Sequence, residues 1–230
     1  MLDSLKSVLH LVFPETCAGC GRDGKVFCED CSKSLSFVEP HLSCFLCGRL
    51  IGKLSLCGEC LEQERNYSAG FFLYYYTGPV KNALCAFKFE GRKRAGRILV
   101  RLSERRILGM GLKFDYIVPI PVTEKKRKER GFNQAYIIAQ EISRITRIPI
   151  LCGHLIKSKE TMDQSSLSKK EREKNVKGAF KIRNGSYFKG KKILIVDDLF
   201  TTGSTLMEAS KVVKLAGADT VCVFALARAI

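Results

Sequence analysis

Eight of the eleven cysteines lie in the first quarter of the sequence, where they form four Cys-x-x-Cys pairs. The pairs are Cys17/Cys20, Cys28/Cys31, Cys44/Cys47 and Cys57/Cys60. Each pair presents two thiolates on one tight turn, and two pairs supply the four sulfur ligands of a tetrahedral zinc ion. The spacing therefore predicts two structural zinc sites. It leaves open whether consecutive pairs or crossed pairs share an ion.

Other uses of paired cysteines fit this sequence less well. Disulfides form in oxidising compartments, and the N-terminus has neither the basic region nor the small-residue cleavage site of a secretory signal. A redox Cys-x-x-Cys is normally single and accompanies a βαβ pattern. An iron–sulfur cluster, which four thiolates can also hold, stays open. We therefore expect a protein of a reducing compartment.

A second cluster of chemically useful residues follows an apolar run near the C-terminus. Asp197 and Asp198 come directly after Ile193–Val196, and small residues lead from them into a helix. These small residues are Thr201, Thr202, Gly203, Ser204 and Thr205. At a helix N-terminus they offer backbone N–H groups and hydroxyls to a phosphate, which the helix dipole also favours. The two carboxylates suit the vicinal hydroxyls of a ribose or a magnesium ion, so the segment predicts a site for a phosphorylated ribose.

Two other interpretations of this segment are weaker. An apolar strand ending in two aspartates also occurs in nucleotide triphosphatases. However, the sequence contains no G-x-x-x-x-G-K-[ST] phosphate loop, and no G-x-G-x-x-G follows a strand. A helix start without a ligand needs one capping residue, and this segment has several.

The charge balance favours an anionic partner. The sequence has 39 Lys and Arg against 23 Asp and Glu, a net charge of +16, and the basic excess lies wholly after residue 70. Five cations follow one predicted strand closely: Lys125, Lys126, Arg127, Lys128 and Arg130. Beside a phosphate site they could neutralise pyrophosphate or a nucleic-acid backbone.

A second basic cluster, Gly91–Arg97, lies close in sequence to several aromatic residues. They are Tyr74, Tyr75, Tyr76, Phe87 and Phe89. Cations beside aromatic rings are typical of grooves for single-stranded nucleic acid, although alternating aromatics also form strand cores. No apolar run approaches the roughly 20 residues that a membrane-spanning helix needs.

These chemical groups need a scaffold that brings them together. Strand-like runs at 71–76, 115–122, 193–196 and 221–225 alternate with segments of helical periodicity, such as 135–145. The last two runs flank a helix and form a βαβ unit, in which ligands bind at the carboxyl ends of the strands. The sequence thus predicts an α/β fold with a doubly wound, mostly parallel sheet.

The domain organisation follows from the change in pattern. Residues 1–68 are predicted to hold an amphipathic helix, over residues 2–13, and the double zinc ribbon. Residues 69–230 are predicted to form the α/β domain. The first segment is acidic and the second basic, so we expect the zinc module to dock on the α/β domain or to avoid nucleic acid.

Four segments together resemble a known family. Ile195–Thr205 resembles the phosphoribosyl pyrophosphate (PRPP) loop of type I phosphoribosyltransferases. Val118–Pro121 with Arg130–Gln134, the stretch Gln164–Phe180 and the four cysteine pairs are similar to the ComF family of competence proteins. The resemblance covers nearly the whole chain. It implies a type I phosphoribosyltransferase-like domain behind a double zinc ribbon.

The resemblance also implies a function and roles for residues. It implies a cytoplasmic protein of natural transformation that handles single-stranded DNA, with a competence helicase and recombination mediators as candidate partners. It places magnesium and PRPP at Asp197 and Asp198, with residues 122–131 as the pyrophosphate-binding loop. Residues 157–180, including Gln164 and Arg172, would form a hood over the ligand. Two alternatives stay open: an active phosphoribosyltransferase of nucleotide salvage or DNA processing, and a regulator that senses a phosphoribosyl ligand.

Overall fold

The computed structural model describes residues 15–160 and 169–230. The helix predicted over residues 2–13 and the predicted hood residue Gln164 lie outside these ranges. Among the described residues, no helix combines the length and the apolar character needed to cross a membrane.

Within the described ranges, six strands form two sheets. The strands are β1 Gly70–Tyr75, β2 Tyr116–Pro119, β3 Leu155–Lys157, β4 Phe180–Ile182, β5 Lys192–Phe200 and β6 Thr220–Arg228. The central sheet has the order β1, β6, β5, β2, and each of its pairings is parallel. Strands β3 and β4 form a small antiparallel pair. The parallel sheet confirms the α/β fold that the sequence predicts.

Helices cover both faces of the central sheet. They are α1 Glu29–Lys33, α2 Gly58–Glu62, α3 Gly78–Phe89, α4 Lys93–Leu102, α5 Glu104–Gly109, α6 Glu124–Arg130, α7 Gln134–Thr146, α8 Lys169–Val176 and α9 Ser204–Leu215. Helices α3, α4 and α7 bury their apolar faces on one side of the sheet, and α9 does so on the other. This is the doubly wound arrangement.

The central strand β5 separates two apolar cores. Leu194 and Val196 point into the core beneath α3 and α7, which we call the front core. Ile193 and Ile195 point into the core beneath α9, which we call the back core. All four side chains are fully buried. A parallel strand covered on both faces has a continuous aliphatic sequence, which is why this strand could be predicted.

The cysteine pairs pack against these cores. Cys17 and Cys31 belong to the front core, whereas Cys44, Cys47, Cys57 and Cys60 belong to the back core. The first two pairs therefore pack on one face of the sheet and the last two on the other.

Edge strand β1 is covered by the chain between the two cysteine groups. Val38 N donates to Leu73 O at 2.9 Å, and Tyr75 N donates to Ser36 O at 2.8 Å. At the start of the strand, Gly70 N donates to a carbonyl of the second cysteine group, Phe45 O, at 2.8 Å. The backbone groups of β1 that face away from β6 are thus partly satisfied by the N-terminal part of the chain.

The end of strand β5 differs from the sequence prediction. The run was expected to end at Val196, but β5 continues through both aspartates to Phe200 because Asp197, Leu199 and Phe200 still pair with β6. The loop between β5 and α9 is therefore only Thr201–Gly203. Ser204 and Thr205 lie in the first turn of the helix.

The basic segment after β2 also differs from the prediction. A loop was expected over residues 122–131, but residues 124–130 form helix α6. Thr123 begins the helix by accepting a hydrogen bond from Lys126 N at 3.4 Å, and Gly131 ends it with a φ of 72°. Lys, Arg and Glu are good helix formers, so the composition that indicated a charged loop suits a charged helix equally well.

Candidate functional site

The eight paired cysteines form two groups of four. Cys17, Cys20, Cys28 and Cys31 make one group, and Cys44, Cys47, Cys57 and Cys60 make the other; within each, the sulfur atoms lie within 4.8 Å of one another. Consecutive pairs therefore share a site. A tetrahedral zinc ion with bonds of about 2.3 Å requires neighbouring sulfur atoms about 3.8 Å apart. Cys20 Sγ and Cys28 Sγ are 3.7 Å apart and Cys47 Sγ and Cys57 Sγ 3.6 Å apart, so both groups fit the ion.

Hydrogen-bond donors lower the pKa of Cys17, Cys20 and Cys44 and so favour their thiolate form, whereas burial raises the pKa of Cys31, Cys47 and Cys60. Cys17 Sγ accepts from Cys28 N at 3.3 Å and from Gly19 N at 3.4 Å. The hydrogen bond from the Arg22 side chain lowers the pKa of the Cys20 thiol to about 6. Burial raises the pKa of Cys44, but backbone donors, chiefly Cys57 N, outweigh burial and lower it to about 7. Thiolates are the form that binds zinc.

The turn between β5 and α9 has a geometry that requires glycine. Gly203 has a φ of 80°, and a Cβ atom on it would lie 2.5 Å from Cζ of Phe200. Thr202 Oγ1 lies 2.7 Å from Ser204 Oγ and accepts from Ser204 N at 3.4 Å. The chain therefore turns sharply from the strand into the helix, with hydroxyls grouped at the helix N-terminus.

The two aspartates at the end of β5 interact with each other and with a lysine. Asp198 N donates to Asp197 Oδ1 at 2.8 Å, and Lys88 Nζ lies 2.9 Å from Asp198 Oδ2. Burial and the nearby charge of Asp198 raise the pKa of Asp197 to about 7, although Lys88 acts in the opposite direction. The pair therefore carries less than two full negative charges near neutral pH.

A cavity of about 300 Å³ opens at the carboxyl ends of β2 and β5; we call it the strand-end cavity. Seven of the residues predicted from the sequence line it: Lys126, Arg130, Arg172, Asp197, Asp198, Thr201 and Thr205. The predicted residues Thr202, Gly203, Ser204, Lys125, Arg127 and Lys128 are not among its lining residues. Two carboxylates, the hydroxyls of Thr201 in the loop and Thr205 in the helix, and three cations thus meet in one place.

Helix α6 divides the predicted basic strip into two faces. Lys126 and Arg130, one helical turn apart, are partly buried and line the cavity. Lys125, Arg127 and Lys128 are exposed to solvent. The sequence prediction of a loop over residues 122–131 did not anticipate this division, because it follows from the helical spacing of the side chains.

Other groups add to the positive character of the cavity. Lys157 at the end of β3 lines the cavity, and burial together with the charge of Lys126 lowers the pKa of the Lys157 ammonium.

A neutral donor also lies on the cavity wall. Gln134, the last residue of the Arg-Gly-Phe-Asn-Gln segment, lines the cavity and is only 3% exposed. Its Nε2 has no hydrogen-bond partner within the described chain. A buried amide donor at a cavity wall calls for an acceptor from a ligand.

The second basic cluster, residues 91–97, is largely engaged elsewhere. Arg92 donates to the Thr16 carbonyl, Arg94 forms an ion pair with Glu15, and Arg97 lies 3.6 Å from Glu141. The first two contacts join the residues just before Cys17 to the α/β domain, whereas Arg97 pairs within that domain. Docking of the zinc module on the α/β domain was one of the two outcomes that the charge difference led us to expect.

The aromatic residues near this cluster have two different roles. Tyr74 and Phe87 have no exposed surface and belong to the front core. Tyr76 and Phe89 line the strand-end cavity, and the Arg130 guanidinium lies 5.8 Å from the Phe89 ring centroid. Of the aromatics considered for base stacking, only these two have the required position.

Lys88 was not expected at the site. It lies in α3, far from Asp198 in the sequence, and no motif surrounds it. Only the packing of α3 beside the end of β5 brings its ammonium to the carboxylate. A lysine in an amphipathic helix is normally read as a solvated residue, so the sequence held no signal for this contact.

Two family models match the chain. One, described as a double zinc ribbon domain, matches residues 8–61, and the other, described as a phosphoribosyl transferase domain, matches residues 93–229. The first agrees with the two groups of four cysteines and supports two structural zinc ions. The second agrees with the parallel sheet and confirms the predicted type of α/β fold.

Three relatives align with most of the chain. Competence protein F of Haemophilus influenzae is 31% identical over 230 residues, covering 96% of this chain and 93% of that protein. DNA utilization protein YhgH of Escherichia coli strain K12 is 28% identical over 225 residues, covering 95% and 91%. Competence protein ComFC of Bacillus subtilis is 29% identical over 204 residues, covering 82% and 78%.

Solved structures give a weaker likeness. Adenine phosphoribosyltransferase from Leishmania donovani aligns with 86% of this chain and 77% of its own length, at 13% identity and a TM-score of 0.39. A TM-score of this size adds nothing to the family matches.

Proposed function

Because this chain belongs to the ComF family of competence proteins, we propose that it handles single-stranded DNA during natural transformation and binds a phosphorylated ribose in the strand-end cavity. PRPP with magnesium is the ligand that the acidic pair and the hydroxyl loop suit best. A cytoplasmic location is part of the proposal, since zinc-binding thiolates need a reducing compartment.

One observation carries this proposal. Asp197, Asp198, Thr201 and Thr205 line the same cavity as Lys126 and Arg130, although these residues come from two separate parts of the chain. A phosphorylated ribose has vicinal hydroxyls on one side and phosphate charge on the other, so it needs acceptors and cations together. The strand-end cavity supplies both.

Each group has a role in the proposed complex. The Thr201–Thr205 turn and the N-terminus of α9 would bind the 5′-phosphate through N–H groups and hydroxyls. Asp197 and Asp198 would accept hydrogen bonds from the ribose hydroxyls, or hold magnesium. Lys126 and Arg130, with Arg172 on the wall of the same cavity, would neutralise pyrophosphate or a DNA phosphate. Magnesium, when bound with PRPP, neutralises part of the pyrophosphate charge.

The ribose-phosphate site is tested by calorimetry with ribose 5-phosphate and with magnesium PRPP. Lys126→Gln with Arg130→Gln should weaken magnesium PRPP binding at least tenfold, because two cations leave the cavity. The matched control, Lys125→Gln with Lys128→Gln, removes two cations from the exposed face of the same helix. Equal weakening by both pairs would show that only overall charge matters and would reject the site.

The acidic pair has its own test. Asp197→Ala with Asp198→Ala should abolish ribose 5-phosphate binding while the circular dichroism spectrum stays unchanged. Unaltered binding by this variant would exclude these carboxylates from the site.

The DNA role is tested by fluorescence anisotropy of a labelled single-stranded oligonucleotide over a range of salt. Binding should weaken with salt, with a slope in log–log form of about −0.7 for each phosphate neutralised. An absence of binding at low salt would contradict the DNA role.

An active phosphoribosyltransferase is the second candidate, favoured by the presence of carboxylates and cations in one cavity. A transferase of this kind works mainly by positioning and by stabilising charge, so it needs no strong general base. Release of pyrophosphate from PRPP with one particular acceptor base would establish it. If PRPP instead changes DNA affinity without pyrophosphate release, the regulatory alternative is favoured.

A further inference from the structure

A second cavity, of about 380 Å³, lies between the second cysteine group and the turn after β5. Its lining includes four arginines, namely Arg49, Arg65, Arg172 and Arg228, and we call it the arginine cavity. Glu59 contributes the only carboxylate side chain among its lining residues. This composition indicates a site for an anion, and no motif of the sequence pointed to it.

Two of the arginines are buried beside weak partners. Arg228 is 7% exposed, and its Nε donates to Cys47 O at 3.0 Å. Arg65 is 8% exposed; its Nη1 lies 3.0 Å from Met207 Sδ, its Nη2 donates to Cys60 Sγ at 3.5 Å, and its Nε lacks a hydrogen-bond partner in the described chain. Burying a guanidinium is costly unless an anion compensates its charge. The Cys60 sulfur supplies part of that compensation for Arg65, whereas the hydrogen-bond acceptors of Arg228 within the described chain are carbonyl oxygens. The nearest carboxylate, that of Glu59, lies 3.8 Å from Arg65 and is also held by Arg49 at 2.7 Å.

Arg172 connects this cavity with the strand-end cavity. Arg172 and Thr201 line both of them, so the turn after β5 forms the wall between the two. Arg172 Nε is buried and has no hydrogen-bond partner among the described residues. A phosphate bound at Thr201 would therefore lie at the border of two cavities that both carry cations.

Because the turn after β5 separates the two cavities, a ligand bound at Thr201 fills both cavities only if it continues beyond its phosphate. A free ribose 5-phosphate ends at its phosphate, so it would leave the arginine cavity unused. In a DNA strand the same phosphate is a diester, and the preceding nucleotide continues beyond it. The strand could continue into the arginine cavity, where its next phosphate would meet guanidinium groups that bind phosphates in bidentate fashion.

The acidic pair restricts which group the 3′ carbon of the bound nucleotide can carry. A deoxyribose whose 5′-phosphate is at Thr201 would place its single ring hydroxyl, on C3′, at Asp197 and Asp198. A free hydroxyl can donate to these carboxylates, whereas a phosphate at the same position would repel them. The nucleotide in the strand-end cavity must then be the last one of its strand.

We propose that the two cavities together bind the 3′ end of single-stranded DNA, with the terminal nucleotide in the strand-end cavity and the preceding phosphate in the arginine cavity. This inference rests on the proposed function, because it uses the same ribose-phosphate site. It adds the polarity of the strand and the part that the second cysteine group takes in binding.

The experiment compares four probes by competition against a labelled oligonucleotide. They are thymidine 5′-monophosphate, thymidine 5′-diphosphate and two forms of the dinucleotide d(TpT), one with a free 3′-hydroxyl and one with a 3′-phosphate. Both forms of d(TpT) carry a 5′-phosphate throughout, which is the phosphate that would enter the arginine cavity. We expect d(TpT) to bind about tenfold or more tightly than the monophosphate, since one charge-assisted contact is gained. The 3′-phosphate should remove most of this affinity.

Arg49→Gln tests the arginine cavity separately. Arg49 is half exposed and pairs only with Glu59 among the described contacts, so its loss should leave the fold intact. The variant should abolish the advantage of d(TpT) and leave the monophosphate affinity unchanged. Arg105→Gln, on an exposed arginine that lines neither cavity, is the charge-matched control. Arg228→Gln is a second variant, checked for folding by circular dichroism.

The outcomes separate this inference from the proposed function. If the monophosphate and DNA both bind but the 3′-phosphate has no effect, the 3′-end inference is wrong and the proposed function stands. If the diphosphate gains as much as d(TpT), and loses it in Arg49→Gln, the arginine cavity binds a diphosphate and the strand interpretation is wrong. If neither the monophosphate nor DNA binds, both fail.

Discussion

At the scale of single residues, Asp197 is the group whose chemistry depends most on its surroundings. Its pKa is raised to about 7 by burial and by Asp198, while Lys88 counteracts this effect. An aspartate in an unfolded chain has a pKa near 4. The folded protein therefore holds a proton that the unfolded chain has lost between these two pH values.

The sign of the pH dependence follows directly. Because the folded form binds more protons, the contribution of Asp197 to the free energy of unfolding is present at low pH and is lost as the pH rises through 7. In magnesium-free buffer, Asp197→Asn should raise the melting temperature by several degrees at pH 8 and by much less at pH 5. Thermal melts at both pH values measure this difference, with the exposed Asp219→Asn as control. A difference that is independent of pH would contradict the raised pKa.

Site residues could be predicted from the sequence where they belong to one contiguous motif. Each cysteine pair and the Asp-Asp-Leu-Phe-Thr-Thr-Gly segment is a short continuous stretch of sequence, so the chemistry of these residues could be predicted without a structure. Lys88, Arg65 and Arg228 reach their positions only through packing between distant parts of the chain. No local pattern distinguishes such residues from solvated cations.

At the scale of elements, the turn from β5 into α9 is the most constrained part of the site. Strand pairing continues to Phe200, and the helix begins at Ser204, so the chain reverses its course within three residues. The left-handed conformation of Gly203 and the Phe200 ring beneath it make this possible. The apolar periodicity predicted that a strand and a helix flank the loop, but the bounds depended on pairing with β6, which is a nonlocal property.

Gly203→Ala should therefore disrupt this turn. The new methyl group would meet the Phe200 ring, and the backbone would be strained, at a cost of about 1–3 kcal/mol. We expect a lower melting temperature and loss of ribose 5-phosphate binding, measured by thermal melts and calorimetry. Gly109→Ala is the control, because Gly109 is helical and no atom lies near its added Cβ. If the two variants have the same melting temperature and the same affinity for ribose 5-phosphate, a special role for the turn is contradicted.

At the scale of the whole molecule, the two cysteine groups pack against opposite faces of one sheet. The division into residues 1–68 and 69–230 stays a prediction from the sequence, and the two parts share both apolar cores. The second group also forms part of the arginine cavity, since Cys47 lines it and Cys47 O accepts from Arg228. The charge difference between the two parts indicated that the zinc module docks on the α/β domain. It could not indicate that the two cysteine groups pack on opposite faces of the central sheet.

The two zinc sites should therefore affect function unequally. Cys17→Ser with Cys20→Ser and Cys57→Ser with Cys60→Ser should each lose one zinc ion by elemental analysis and lower the melting temperature. The second variant should also weaken d(TpT) binding more than the first, because its cysteine group holds the wall of the arginine cavity. Unchanged zinc content in either variant would contradict the assignment of ligands. Equal DNA affinity in both would contradict the unequal roles.

The cover over strand β1 has a consequence for the metal-free protein. A sheet edge with unsatisfied N–H and C=O groups is a template for adding a strand from another molecule. Hydrogen bonds with Ser36, Val38 and Phe45 occupy part of this edge. Ser36 and Val38 lie between the two cysteine groups in the sequence, and Phe45 lies within the second group, so bound zinc would hold all three in place. Removing zinc should thus uncover an aggregation-prone edge, so that chelated protein forms β-rich oligomers before its sheet unfolds.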